Sequence, residues 1–244
     1  MSRLSAFAIH FGISAALFLV LAAIILTWWY PGFFFETDGG WQGIRIIAAV
    51  DLVLGPCLTL VVFRKGKPGL ATDLTLIGLF QALCLAGGIL VVYSERPLAM
   101  VMVDDAFFSM SSDDFTDFGV EPPDLSAFPG KGPKWVSVRI PDDIQAAGDL
   151  RREALTTNRP LRTYHELYQA YSPAQLELAR ATPEDELRAF DVNVHALDAW
   201  LKENGGSIQD YAFFPLGTRY NMAFLGFRRE NMEPLGVLYT PAPT

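Results

Sequence analysis

Charge is scarce in this chain. Of its 244 residues only 19% are Asp, Glu, Lys or Arg, while 51% are apolar and the mean hydropathy is +0.24. An ordinary water-soluble domain carries about 25% charge, so a single soluble globule is excluded. Cysteine is almost missing as well. Cys57 and Cys84 both lie inside apolar stretches, which leaves the polar part without any thiol from which to build a disulfide framework. The three histidines, His10, His165 and His195, form no His-x-x-x-His pair and have no cysteine ligand nearby, so no zinc spacing is present. No Gly-x-Ser-x-Gly, Walker or Gly-x-Gly-x-x-Gly pattern occurs. A basic excess is lacking too: the net charge of −8 repels phosphate and excludes nucleic acid as the main partner.

The little charge there is lies unevenly. Residues 1–93 hold five cations (Arg3, Arg45, Arg64, Lys65, Lys67) and four acids (Glu36, Asp38, Asp51, Asp73), whereas residues 94–244 hold the remaining fourteen cations and twenty-three acids, a net of −9. Two parts of such different character satisfy two different solvents. In the first part, Phe7 to Trp29 is free of charge over 23 residues, enough at 1.5 Å per residue to cross a hydrocarbon core of about 30 Å. Ile46 to Phe63 contains only Asp51 as an ionisable group and a Gly55-Pro56 pair expected to kink it; Leu74 to Tyr93 contains Gln81. Three membrane helices are expected, at about 7–29, 44–63 and 73–93. The first run exceeds a signal-peptide core, and Trp28-Trp29-Tyr30-Pro31 after it is no cleavage site, so it reads as an uncleaved anchor.

Arg3 precedes the first span, and Arg64, Lys65 and Lys67 crowd the turn between the second and third. By the positive-inside rule the N-terminus and that turn face the cytoplasm, and everything after the third span faces the periplasm. Trp28, Trp29, Tyr30, Trp41 and Tyr93 then fall at the outer interface, where amphipathic rings settle.

Residues 97–244 are long enough for a core of their own. Leu98 to Val103 and Lys134 to Ile140 read as strands, Ile144 to Leu155 as a helix started by Pro141-Asp142-Asp143, and Ser172-Pro173 and Thr182-Pro183-Glu184 as further helix starts. Asn193 to Lys202 reads as a helix stopped at Asn204-Gly205-Gly206. Tyr211 to Phe214, Asn221 to Arg228 and Pro234 to Tyr239 read as closing strands. The expected fold is an α+β domain with an antiparallel sheet, interrupted at about 110–133 by an irregular acidic loop.

Within the bilayer Asp51 and Asp73 raise the possibility of a protease built on two aspartates. Asp73 sits at the cytoplasmic start of its span, about 20 Å in depth from Asp51, whereas two carboxylates sharing a proton must touch. Asp73, with Thr72, reads as a helix cap and Asp51 as a hydrogen-bonding residue facing the other helices. His10, placed roughly 25 Å in depth from Asp51 by the same rise, reads as interfacial.

Several segments together are similar to a known family. Trp29-Tyr30-Pro31-Gly32, Gly39-Gly40-Trp41, the run Val50-Asp51-Leu52-Val53-Leu54-Gly55-Pro56-Cys57 through Phe63, Lys67, Asp73-Leu74, Gln81 and Arg96-Pro97 resemble the TfpX/TfpZ (FimB-like) type IV pilin accessory proteins over residues 1–105. Tyr211 to Tyr220 resembles that family's late Tyr-x-x-x-Pro-Leu-x-x-Arg-Tyr element; Cys57 departs from it, where leucine is usual. The resemblance implies an inner-membrane protein that helps stabilise or assemble a cognate type IV major pilin, with membrane lipids and other pilus assembly proteins as further partners. It implies no enzymatic activity, cofactor or metal. Asp51, Gly55, Pro56 and Gln81 are the expected shapers of an intramembrane partner surface; the acidic loop and the turn carrying Pro215, Arg219 and Tyr220 are expected to meet a pilin head. A periplasmic sensor or regulator of assembly, and a membrane enzyme that modifies pilin, stand as alternatives.

Overall fold

Apolar length decides the first 96 residues. The computed structural model describes residues 2–190, 195–220 and 222–239. The chain divides into two units, Met1–Arg96 and Pro97–Thr244. In the first, three helices are long and apolar enough to cross a membrane: α1 (Arg3–Trp29), α2 (Gly40–Val62) and α3 (Leu70–Ser94). The middle helix packs against both of the others. Their outward faces are lined by exposed Ile13, Leu19, Val20, Val53, Val61, Leu83 and Leu90, a surface suited to hydrocarbon and not to water.

Each helix end is set by local chemistry. Gly39 (φ 101°) and Gly69 (φ 78°) take the left-handed conformation directly before α2 and α3, which a side chain would resist. Asp73 therefore lies inside the first turn of α3, not at its cap as expected. There it faces the positive end of the helix and pairs with Lys67 at 2.5 Å. Tyr30 is buried within the protein, and its hydroxyl donates to the Val92 carbonyl at 2.8 Å, tying the α1–α2 connection to the end of α3. Trp28 and Trp41 remain exposed, and Trp29 meets Tyr93 edge-on at 5.2 Å.

Pro56 has no N–H to give, and its ring crowds the preceding turn. The chain widens to π-helical over Ala49–Leu54, immediately ahead of it. This wider turn, a device common at functional positions, contains Asp51.

The second unit is α+β, and its sheet is mixed. The expectation of a purely antiparallel sheet is corrected. Seven strands, β1 (Pro97–Val103), β2 (Ala106–Ser111), β3 (Lys134–Val138), β4 (Tyr168–Ala170), β5 (Tyr211–Gly217), β6 (Met222–Arg228) and β7 (Glu233–Tyr239), run in the order β4-β3-β1-β2-β5-β6-β7. The pairs β1/β2, β3/β4, β5/β6 and β6/β7 are antiparallel, whereas β1/β3 and β2/β5 are parallel. Parallel neighbours require long connections: residues 104–133, which include β2, join β1 to β3, and residues 112–210, which include β3 and β4, join β2 to β5.

Successive residues of β1 are buried alternately on both faces: Ala99 and Val101 join Met110, Phe115, Val136 and Val138 in one core, while Met100 and Met102 are buried on the other face. The acidic segment after β2 starts as a short helix, α4 (Ser112–Thr116), capped reciprocally by Ser111 and Asp114, and Phe115 and Leu125 anchor it in that core. Helix α5 (Ile144–Thr156) starts at Asp143, whose carboxylate accepts from the Ala146 N–H. Pro173 opens α6 (Pro173–Leu178), where the Gln175 side chain accepts from the Ser172 N–H at 2.9 Å. Helices α7 (Glu184–Phe190) and α8 (Ala196–Asn204) supply Leu187, Leu197 and Trp200 to a second core with Tyr211, Phe213, Phe224 and Leu238. Asn193, the expected start of α8, lies outside the described residues. Gly226 is required by close approach: a Cβ there would sit 2.7 Å from the Trp200 ring.

Phe107 is the aromatic hub of this unit. It has no exposed surface and meets Trp135, Tyr171, Phe214 and Phe227 with ring centroids 5.4 to 6.1 Å away. Burial pushes the Tyr171 phenol up to about 12, since its charged form has little water to solvate it.

Candidate functional site

Five polar side chains from three apolar helices converge in the first unit. Ser14 on α1, Asp51 on α2 and Gln81 on α3 each stand eleven residues after the first residue of their helix, and Asp51 stands eleven before the last residue of its own. All three are therefore near mid-length, about 16 Å from the helix starts. Asp51 is 1%, Ser14 2% and Gln81 7% exposed. The Ser14 hydroxyl donates to Asp51 Oδ1 at 3.1 Å, and Gln81 Nε2 donates both to Asp51 Oδ1 and, at 3.1 Å, to Ser14 Oγ. On its other side Gln81 Oε1 accepts from His10 Nε2 at 2.9 Å, while His10 Nδ1 lies 2.6 Å from the buried Thr59 hydroxyl.

This corrects the depth assigned to His10. The sequence estimate measured depth from the edges of the apolar runs, but α1 begins at Arg3 and α2 at Gly40, beyond those edges. His10 stands one helical turn from Ser14, and the Gln81 carboxamide spans the remaining gap to Asp51. An amide passes on hydrogen bonds but hands on a proton only through its costly imidic-acid form, so the arrangement is a latch and not a proton wire.

Gly55 makes the latch possible. A Cβ at that position would overlap the Gln81 carboxamide. Pro56 is buried one residue further on. Gln81 thus touches both Asp51 and Gly55, while Pro56 is not one of the five converging side chains. Sequence reasoning missed His10, Ser14 and Thr59; equal spacing from the helix starts was the signal that marks Ser14 with Asp51 and Gln81.

One oxygen stays unsatisfied. Asp51 Oδ2 is buried and has no hydrogen-bond partner among the described residues. Asp51 forms the floor of a cleft of about 200 Å³ between α1 and α3, walled by Ile13 and Leu17 on one side and Gly78, Ala82 and Leu85 on the other.

In the second unit, Pro215 lies on β5 opposite Phe224, and Arg219 and Tyr220 lie in the β5–β6 turn, with Tyr220 exposed. A separate cleft of about 350 Å³ is lined by Val103, Asp104, Phe108, Arg151, Leu155 and Arg162. There the Arg162 guanidinium lies over Phe108 at 5.1 Å and Phe118 at 5.4 Å, and burial holds its pKa below the usual arginine value against the opposing pull of Asp114. Among the described residues no group of three His, Cys, Asp or Glu side chains is placed to hold a metal ion.

No protein-family model matches the chain, and no solved structure matches it. It is 28% identical over 135 residues to the fimbrial assembly protein, serogroup E1, of Dichelobacter nodosus, a match covering 54% of this chain and 52% of that protein. It is 29% identical over 108 residues to the fimbrial assembly protein of serogroups C1 and C2 from the same organism, covering 43% of this chain and 82% of the relative. The chain thus spans about half the length of the first of these curated relatives. It is distantly similar, then, to bacterial proteins named for fimbrial assembly, and its three apolar helices suit insertion in a membrane.

Proposed function

We propose that the protein is an inner-membrane accessory factor for type IV pili, of the TfpX/TfpZ kind, that binds its cognate major pilin and holds it ready for assembly. The observation that carries this reading is the similarity to proteins named for fimbrial assembly. The architecture supports it: a pilus subunit awaiting assembly presents a membrane anchor and a head, and a factor with both a membrane unit and an α+β unit contacts both. Two weak contacts on a common support reinforce one another through effective concentration. The role is binding, not catalysis.

In this reading the N-terminus is cytoplasmic and the α+β unit periplasmic, an orientation supported by the basic α2–α3 turn. Alkaline phosphatase fused after Thr244 is expected to be active and green fluorescent protein dark; the reverse result refutes the orientation. For the function itself, the tagged full-length protein is expected to co-purify with the major pilin from solubilised membranes, and its deletion to lower pilin abundance and piliation while pilin transcript is unchanged. Unchanged pilin and no co-purification would sink the reading.

A further inference from the structure

The cleft between α1 and α3 contains something that lipid cannot complete. Its lining is mostly apolar, and the polar groups His10, Ser14 and Gln81 are already hydrogen-bonded within the latch, which disfavours headgroups and water-soluble segments. Yet Asp51 also lines it, with a buried Oδ2 that lacks a partner among the described residues. In hydrocarbon an unmade hydrogen bond is unfavourable by several kcal/mol, and an acyl chain has no donor to offer. At about 200 Å³ the cleft is below the 300 Å³ or so at which small-molecule pockets begin, and it suits one or two side chains. Gly78 and Ala82, one turn apart, form the α3 wall, and a Cβ on Gly78 would meet nothing within 4 Å. Small residues facing open space allow a neighbouring backbone to come close. A symmetric contact with a second copy would set the two Asp51 carboxyl groups against each other, a pairing that needs them to share a proton.

We propose that this cleft receives the transmembrane helix of the fimbrial subunit. The helix presents small and apolar residues to Gly78 and Ala82, and one hydrogen-bond donor, a hydroxyl, amide or amine, at the level of Asp51. The inference rests on the assembly role proposed above and adds where in the bilayer recognition takes place. Polar recognition at mid-depth fixes both the register of the bound helix and its height in the membrane, which purely apolar packing leaves loose.

The test uses the full-length protein co-expressed with the major pilin of its own organism, with a photo-crosslinking phenylalanine analogue in place of Leu85 in the cleft or Val61 on an exposed face elsewhere. Leu85 is expected to give an adduct mapping to the pilin membrane helix, at least about tenfold stronger than that from Val61. Gly78→Leu adds a side chain to the cleft wall at a position where a Cβ meets nothing within 4 Å, and is expected to lower the Leu85 adduct about tenfold. Gly87→Leu, in equally open surroundings on the opposite face of α3, is expected to leave it unchanged. Equal adducts from both positions, an adduct with a second copy of this chain, or indifference to Gly78→Leu overturns the proposal. If pilin still co-purifies while the cleft adduct is absent, the cleft assignment fails alone; if no pilin is captured by any route, the assembly role fails with it.

Discussion

Gly55→Val is expected to deplete the protein from the membrane fraction, although the change adds only apolar atoms to an apolar helix. The added Cβ occupies the place of the Gln81 carboxamide, so either α3 moves away from α2 or Gln81 swings out. Overfilling a packed site costs about 1–3 kcal/mol. Loss of the Gln81 bonds adds roughly 0.6–1.7 kcal/mol for each interhelical bond broken and leaves Asp51 with Ser14 alone and His10 with Thr59 alone. Thermal aggregation in detergent measures the effect. The double substitution Gly55→Val with Gln81→Ala removes the obstructing group and is expected to recover part of the loss, because adjacent sites couple. A single valine variant that melts with the parent protein refutes the latch.

The second large effect is expected in the α+β unit. Phe107→Ala removes the ring that touches Trp135, Tyr171, Phe214 and Phe227, with no exposed surface through which the gap can close. Such truncations cost about 3–5 kcal/mol. Limited proteolysis of the full-length protein should cut within residues 97–239 much faster, while the three membrane helices stay protected. Ultraviolet titration supplies an independent readout: with water admitted beside it, the Tyr171 phenol falls from about 12 toward its ordinary value of 10. Unchanged proteolysis and titration would show that the aromatic cluster is not the keystone of this unit.

Much of the architecture is legible from residue types alone. A charge-free run from Phe7 to Trp29 leaves a helix few alternatives, and Asp143 ahead of Ile144 marks a helix start through one hydrogen bond. Strand partners are another matter. Alternation along Lys134 to Val138 says that a strand forms, but its parallel placement beside β1 is decided by contacts made across a long connection. Strand β2 escaped notice because Ala106 to Ser111 does not alternate cleanly between apolar and polar, and because the acids that follow suggest a loop; the cap between Ser111 and Asp114 shows them starting a helix. In the membrane unit Asp51 and Gln81 stand out as polar groups in apolar surroundings, whereas His10 was concealed by an estimate of depth taken from hydropathy edges. The apolar run marks the part of a helix that prefers hydrocarbon, not where that helix begins.

The latch also orders events during synthesis. Helices leave the ribosome in sequence, so α2 reaches the membrane with Asp51 at its centre before Gln81 has emerged. An aspartate at the middle of an isolated helix disfavours insertion by about 2.5–3.5 kcal/mol, offset only in part by the leucines and valines around it. Ser14, already in place on α1, offers a single hydroxyl. The emergence of α3 is then what secures α2, and a nascent chain halted with the Arg64 to Lys67 turn just outside the ribosome holds its second helix insecurely until translation resumes.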